Sequence, residues 1–211
     1  MARHLGFKVL LCDPPRAEAE GPGQFCSLDF LLQNSDIVTL HLPLTGETRC
    51  MADASFFASM KLGAFFINTA RGEIMVDDDL IAAVPKLGPV IIDTWNHEPY
   101  VNQNLMNLID IATPHIAGYS YQGKQRGTSM AVRAVARYFG FKDLYDFFPK
   151  AEIDELEAVK LDLTGLTQGQ ITALFQYNYP VFTDDFLFRL NPTGFDSLRA
   201  SYRYRREFYI Y

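Results

Sequence analysis

Three residues of the types that bind anions and transfer protons, Arg71, Glu98 and His115, each follow an apolar stretch of the chain. An arginine can hold a carboxylate through two parallel hydrogen bonds. A histidine exchanges a proton near neutral pH, and a neighbouring carboxylate raises its pKa and fixes its tautomer. Taken singly, the better interpretations are a solvated loop arginine, a surface glutamate and a structural histidine.

Two aspartates also stand directly after apolar stretches, Asp13 and Asp93. In a dinucleotide-binding fold, an acidic residue at the end of the second strand accepts hydrogen bonds from ribose hydroxyls. The Gly-x-Gly-x-x-Gly segment that should precede Asp13 by about 20 residues is not found upstream of it. For Asp13 alone, an aspartate that begins a turn before Pro14 and Pro15 is therefore the favoured interpretation.

The apolar stretches themselves predict short strands buried on both faces of a parallel sheet. They cover residues 8–12, 36–40, 64–67, 90–92 and 111–112. Between them we expect helices that start after Ser27 and that cover residues 53–59 and 77–83, followed by a long helix over 122–140 that Gly140 ends. Strands alternating with helices predict a doubly wound α/β sheet, here an incomplete Rossmann domain. The carboxyl ends of such strands form the edge where α/β sheets bind ligands.

The chain changes character near residue 148, which predicts a first domain over 1–148 with its following long helix and a small α+β C-terminal region over 149–211. Residues 166–190 read as helical, 191–194 as a turn and 205–211 as a strand. A module this small cannot bury many large apolar side chains alone, which predicts a subunit interface. The side chains concerned are Phe175, Tyr177, Tyr179, Phe182, Phe186 and Phe188.

Composition narrows the classes of protein to consider. The 211 residues are 48% hydrophobic and 21% charged, which argues against disorder, and the net charge of −6 gives no support to a nucleic-acid surface. Cys12, Cys26 and Cys50 follow no metal-binding spacing and read as reduced thiols. The N-terminal apolar stretch has no signal-cleavage site and is too short to span a membrane, so we expect a soluble, cytoplasmic protein.

Several longer motifs make the sequence similar to a known family. The stretches LHLPLTGET, INTARGEIMVD and TPHIAG, with Glu98 before Pro99, resemble the D-isomer-specific 2-hydroxyacid dehydrogenases. The stretches LLCDPPRA, DTWNHEP and GFDSLRASYRYRREF resemble a narrower group within them. The resemblance implies NAD as cofactor, with 1–148 as the NAD-binding domain, and a small phosphorylated 2-hydroxy acid as substrate. It also implies a homodimer built through 149–211, with no metal, nucleic acid or membrane partner.

The resemblance also implies roles for individual residues. Catalysis would fall to Arg71, which binds the substrate carboxylate, and to Glu98 and His115, which handle the hydroxyl proton. The cofactor contacts would be Asp13, Thr69, Ala70, Asp93 and Gly118, and Tyr119 would contact the substrate.

The chain also departs from the family. A family N-terminal portion that carries the glycine-rich loop and phosphate contacts is missing, and Leu42 stands where a threonine commonly contacts NAD. Two other functions stay open: a non-catalytic dimerisation or regulatory remnant, and a different 2-hydroxyacid dehydrogenase.

Overall fold

The computed structural model describes residues 2–150 and 161–207. Contacts between Cα atoms group the described chain into two compact units. The first contains residues 2–116 and 182–201, and the second contains residues 117–150, 161–181 and 202–207. Part of the C-terminal region thus belongs to the same unit as the N-terminal part of the chain. The predicted functional boundary at residue 148 stays a prediction.

The first unit is built on a four-stranded parallel sheet in the order β1-β2-β3-β4. Its strands are β1 (Ile37–Leu40), β2 (Phe65–Asn68), β3 (Val90–Ile92) and β4 (Ile111–Ala112). Leu40 pairs with Asn68, Asn68 with Ile92, and Ile92 with Ala112. All four strands therefore end in one row at a single edge, which confirms the predicted parallel α/β sheet.

Helices connect and flank these strands, and their starts follow the capping pattern expected from the sequence. The Ser27 hydroxyl accepts a hydrogen bond from the Phe30 N–H, and the Asp53 carboxylate accepts one from the Phe56 N–H. The helices of this unit are α1 (Pro14–Glu20), α2 (Leu28–Asn34), α3 (Ala54–Ser59), α4 (Asp77–Ala83), α5 (Gln103–Leu108), α8 (Val181–Leu190, from Phe182 onward) and α9 (Phe195–Ala200).

The core of the first unit lies between the sheet and these helices. Phe56, Phe57 and Phe66 pack edge to face, with ring centroids 5.1–6.1 Å apart. Trp95 and Phe188 are also buried and pack together, with a centroid distance of 5.9 Å. Phe188, counted in the sequence among the side chains that need a partner subunit, is thus covered by its own chain.

The prediction of a strand over residues 8–12 is wrong. Residues 8–12 form no strand, because a strand exists only where a neighbour pairs with it, and the described contact there is a hydrogen bond from the Cys26 N–H to the Leu11 carbonyl. The stretch 166–190 is helical as predicted, and it forms two helices, Gln168–Asn178 and Val181–Leu190, because Pro180 lacks the N–H needed to continue the first of them.

The second unit contains α6 (Tyr121–Phe139) and α7 (Gln168–Asn178). Gly140 ends α6 in the left-handed conformation, as predicted. The predicted strand over 205–211 is in its described part a single bridge between Arg205 and Ser120, and its last four residues lie outside the described residues. Within 2–150 and 161–207, no helix is long and apolar enough to cross a membrane.

Candidate active site

The carboxyl edge of the sheet brings the predicted site residues of the first unit onto neighbouring loops. The strand ladder continues one step past the strands, with hydrogen bonds from Asp93 N to Asn68 O and from Thr113 N to Ile92 O, each 3.0 Å. Arg71 follows β2 and His115 follows β4 by three residues each, and Glu98 lies in the loop after β3.

Glu98 and His115 form the hydrogen-bonded pair that the sequence predicts. His115 Nδ1 lies 2.8 Å from Glu98 Oε2, and the Trp95 N–H donates to Glu98 Oε1 at 2.9 Å. Both side chains are about three-quarters buried. Because an ionised carboxylate only accepts hydrogen bonds, Nδ1 carries the proton, and in the neutral ring Nε2 is the acceptor. This is the tautomer that a proton-accepting histidine needs.

The surroundings of Glu98 favour its ionised form. Burial raises the pKa of Glu98, but the hydrogen bonds from His115 and the Trp95 N–H and the positive charges of His115 and Arg199 lower it. The net pKa lies below the ordinary value of 4.5. Glu98 is therefore a carboxylate at neutral pH and can hold the His115 N–H.

This lowered pKa predicts a pH-dependent contribution of Glu98 to stability. A carboxylate whose pKa is lower in the folded than in the unfolded chain stabilises the fold above its unfolded-state pKa, and that contribution is lost as the pH falls through its folded-state pKa. We expect Glu98→Gln to lower the free energy of unfolding more at about pH 6 than at about pH 3.

Urea unfolding of the wild type and the variant at several pH values measures this difference. Glu18→Gln, which replaces an exposed carboxylate, is the control and should give a difference that changes little with pH. If Glu98→Gln lost the same stability at both ends of the pH range, the pKa of Glu98 would not be lowered in the folded chain.

Asp93 holds the loop that carries His115. The side chain of Asp93 is 2% exposed, and its Oδ1 accepts hydrogen bonds from the Thr113 hydroxyl at 2.6 Å and the Ile116 N–H at 2.8 Å. The Asp93 carbonyl also accepts from the His115 N–H at 2.7 Å. Asp93 thus shapes the backbone on both sides of His115, a role that the sequence does not reveal.

The loop that carries Arg71 is held by Asn68, the last residue of β2. Asn68 is fully buried, its Nδ2 donates to the Arg71 carbonyl at 2.9 Å, and its Oδ1 accepts from the Ala70 N–H at 3.0 Å. The Arg71 side chain is exposed, and its Nη1 donates to the Ala70 carbonyl at 2.6 Å. The other N–H groups of the guanidinium leave capacity for a carboxylate.

We expect Asn68→Asp to destabilise the chain by about 1–3 kcal/mol, because the change removes a donor and leaves a buried charge against the Arg71 carbonyl. The measurement is urea unfolding near neutral pH. Asn107→Asp, an exposed site on α5, is the matched control and should change stability by less than about 0.5 kcal/mol. Equal effects of the two substitutions would show that Asn68 does not hold this loop.

Gly72 joins the Arg71 loop to the Glu98 loop, and the sequence gives no hint of this contact. A Cβ atom placed on Gly72 would lie 2.0 Å from the Trp95 carbonyl carbon, 2.2 Å from its oxygen and 2.3 Å from the Asn96 nitrogen. The backbone after Arg71 therefore lies directly against the backbone that precedes Glu98. Glu98 in turn bonds His115, so Arg71, Glu98 and His115 belong to one contiguous site.

A cavity of about 500 Å³ opens beside Arg71 at this edge of the sheet. Thr69 and Ala70, both expected to contact the cofactor, line it together with Arg71 and the segment from His41 to Leu44. His41 was not predicted; its Nε2 lies 3.0 Å from the Thr39 hydroxyl. The lining combines apolar side chains with the Arg71 cation, so its chemistry fits part of a dinucleotide.

The remaining predicted contacts have other described surroundings. Asp13 caps α1 by accepting a hydrogen bond from the Arg16 N–H at 3.1 Å, as a turn-forming aspartate does. Gly118 and Tyr119 belong to the second unit, where Tyr119 packs on Tyr202 and Tyr204 with centroids 5.8 Å away. Their roles stay predictions. Within the described ranges, no group of three or more His, Cys, Asp or Glu side chains could hold a metal ion.

Comparison with known proteins shows which family the chain resembles. Residues 1–117 match the family model of the D-isomer specific 2-hydroxyacid dehydrogenase, NAD binding domain. Over 96% of its length the chain is 39% identical to an erythronate-4-phosphate dehydrogenase of Shigella dysenteriae, and over 98% it is 35% identical to one of Bacteroides thetaiotaomicron. The chain spans 56% and 59% of the lengths of these two relatives.

A solved structure of a D-lactate dehydrogenase from Sporolactobacillus sp. also superimposes on the chain, with a TM-score of 0.50 and 31% identity. The match covers 56% of this chain and 41% of that structure. The parallel sheet, the site at its carboxyl edge and the matched residues lead to the same conclusion. The chain belongs to the family of D-isomer-specific 2-hydroxyacid dehydrogenases, and the NAD-binding domain of that family spans residues 1–117.

Proposed function

We propose that this chain is the NAD-binding and proton-transferring part of an erythronate-4-phosphate dehydrogenase. The reaction is the oxidation of 4-phospho-D-erythronate to 2-oxo-3-hydroxy-4-phosphobutanoate, in pyridoxal 5'-phosphate (vitamin B6) biosynthesis. The observation that carries the proposal is the Glu98–His115 hydrogen bond, joined through Gly72 to the loop of Arg71. The two relatives, similar over nearly the whole chain, support this choice of substrate.

The proposed chemistry follows from the groups at the edge of the sheet. Arg71 holds the substrate carboxylate beside C2, and neutral His115 accepts the C2 hydroxyl proton at Nε2. Glu98 fixes the tautomer of His115 and stabilises the imidazolium that forms. The cofactor NAD, when bound, accepts the hydride that leaves C2. Asp13, Thr69, Ala70, Asp93 and Gly118 are the residues proposed to hold NAD.

Tyr119 is proposed to contact the substrate rather than the cofactor. It lies in the second unit, where its ring packs on Tyr202 and Tyr204 and the Lys124 ammonium lies 3.9 Å from its centroid. An aromatic hydroxyl beside a cation suits an anionic substrate.

We propose that residues 1–211 have little activity by themselves. Dinucleotide pyrophosphate binds to backbone N–H groups at a glycine-rich helix start, and residues 1–12 contain no Gly-x-Gly-x-x-Gly segment. A second domain that closes over the substrate also orients it and excludes water. Orientation can supply about 7–11 kcal/mol of a barrier, so a half-site should lose most of the rate.

The test compares NADH formation from 4-phospho-D-erythronate by two proteins. The first is residues 1–211, and the second, the extended protein, is the same chain with the residues encoded upstream of it added. We expect turnover by the extended protein and little by residues 1–211. D-lactate in place of the phosphorylated substrate should give much slower turnover. No turnover by the extended protein would reject the dehydrogenase proposal, and faster turnover of D-lactate would reject the substrate.

A homodimer is the proposed assembly, and it gives a separate prediction. Tyr177, Phe182 and Phe186 are 92%, 58% and 59% exposed, which is costly for rings of this size in an isolated chain. We expect sedimentation at micromolar concentration to give a dimer, and Phe186→Asp to shift it towards the monomer. A stable, folded monomer of the unchanged chain would contradict this.

A further inference from the structure

Arg199, which lies on α9, reaches the backbone of His115. Its Nε donates a hydrogen bond of 3.2 Å to the His115 carbonyl, across 84 residues of sequence. Both residues belong to the first unit. Arg199 lies in the C-terminal region, where the sequence predicts only a subunit interface. The described contact assigns it to the surroundings of the proton-transferring pair instead.

The backbone of His115 needs support, because it has a positive φ of 55°. Side chains other than glycine adopt this left-handed region at a cost, and they persist there when the surrounding structure fixes them. The His115 N–H donates to the Asp93 carbonyl at 2.7 Å, and the His115 carbonyl accepts from Arg199. Both polar groups of this residue are therefore held, one from the sheet edge and one from α9.

Arg199 is itself placed by a row of aromatic rings. Its guanidinium carbon lies 5.5 Å from the centroid of Phe195, which is 1% exposed. Phe195 packs on Phe188 and Phe188 packs on Trp95, each with a centroid distance of 5.9 Å. The backbone N–H of Trp95 donates to Glu98. A continuous row of packed rings thus connects Arg199 with Trp95, which bonds Glu98.

The charge of Arg199 acts on Glu98 as well. Burial opposes ionisation of Glu98, but the positive guanidinium adds to the hydrogen bonds that lower the Glu98 pKa. An ionised Glu98 is the form that accepts the Nδ1 proton of His115. The same side chain therefore supports the backbone of the histidine and the charge of its partner.

We propose that Arg199 is a positioning residue that holds His115 by its carbonyl and so fixes the backbone from which the imidazole meets Glu98. The catalytic meaning of this contact rests on the proposed function. The contact and its effect on Glu98 do not, so they can be tested on residues 1–211 without turnover.

The test is a ¹³C NMR titration of the Glu98 carboxyl in residues 1–211, assigned by the loss of its signal in Glu98→Gln. Arg199→Gln should raise the titration midpoint of Glu98. Arg203→Gln, which removes an exposed arginine from the neighbouring segment, should leave the midpoint at its wild-type value. A wild-type His115 carbonyl ¹³C resonance in folded Arg199→Gln, together with an unchanged Glu98 midpoint, would overturn the proposal.

Arg199→Lys keeps the positive charge. It tests the bond to the His115 carbonyl if Arg199→Gln does not fold. Lysine lacks the guanidinium that directs Nε at the carbonyl, so the His115 carbonyl ¹³C resonance should shift while the Glu98 midpoint stays near the wild-type value. A wild-type His115 carbonyl resonance in Arg199→Lys would show that the bond has no positioning role.

In the extended protein, Arg199→Gln should lower kcat roughly 10- to 100-fold with little change in KM, because it misplaces a reacting group without removing a binding group. An unchanged kcat would overturn the positioning role in catalysis. An extended protein with no dehydrogenase activity would reject the proposed function, and the NMR titration would still decide whether Arg199 positions the pair.

Discussion

Replacing His115 by asparagine in the extended protein is expected to lower kcat by roughly 10²–10⁴-fold, the usual contribution of a general base. Asparagine tolerates the left-handed backbone conformation that His115 adopts, so the fold should survive while the proton acceptor is lost. Steady-state NADH formation measures the effect, and KM for the substrate should change far less because Arg71, the proposed carboxylate-binding residue, is unchanged.

His97 is a matched control for this substitution, because it is an exposed histidine with a φ of 59° in the Glu98 loop. His97→Asn should keep kcat within a few-fold of the wild type. Glu98→Gln should lower kcat because an amide N–H can face Nδ1 and favour the wrong tautomer. Equal kcat values for His97→Asn and His115→Asn would argue that another group accepts the proton.

Gly72→Ala is expected to have the largest effect on the structure of the site. The new methyl group would lie 2.0–2.3 Å from backbone atoms of Trp95 and Asn96, and backbone cannot move aside as a flexible side chain can. Overpacking of this kind costs about 1–3 kcal/mol and occasionally more. We expect the upper end, about 3 kcal/mol, which for a chain of this size lowers Tm by roughly 6–12 °C.

The matched control is Gly46→Ala, because a Cβ on Gly46 would meet nothing within 4 Å. Thermal unfolding followed by circular dichroism compares the two variants with the wild type. Gly46→Ala should leave Tm nearly unchanged. If Gly72→Ala also left it unchanged, the Arg71 and Glu98 loops would not be in the contact described above.

The parts of the fold that depend on local sequence could be predicted. Val90–Ile92 and Ile111–Ala112 are strands with the predicted bounds, and Asp77–Ala83 is a helix with the predicted bounds. A continuous apolar run or an acidic first turn marks these elements in the sequence. Residues 8–12 have an equally apolar run and form no strand, because strand formation depends on a paired neighbour and not on composition alone.

The site residues also divide into those that the local sequence predicts and those that it does not. The order of polar residues after successive strands predicted a shared edge, and the hydrogen bond between Glu98 and His115 confirms the expected pair. Gly72 and Arg199 were missed as parts of the site. The importance of each comes from a contact with a residue distant in sequence, Trp95 in one case and His115 in the other. Neither contact leaves a local pattern.

The central claim is that Arg71, Glu98 and His115 act together on a 2-hydroxy acid, with His115 accepting the proton as hydride leaves C2. The direct test supplies the extended protein with 4-phospho-D-erythronate that carries deuterium at C2, and mass spectrometry then follows the label. We predict that the deuterium appears in the reduced cofactor, at a rate that His115→Asn lowers by roughly 10²-fold or more and His97→Asn does not. Release of the deuterium to water, or the same rate of transfer in His115→Asn and the wild type, would contradict the claim.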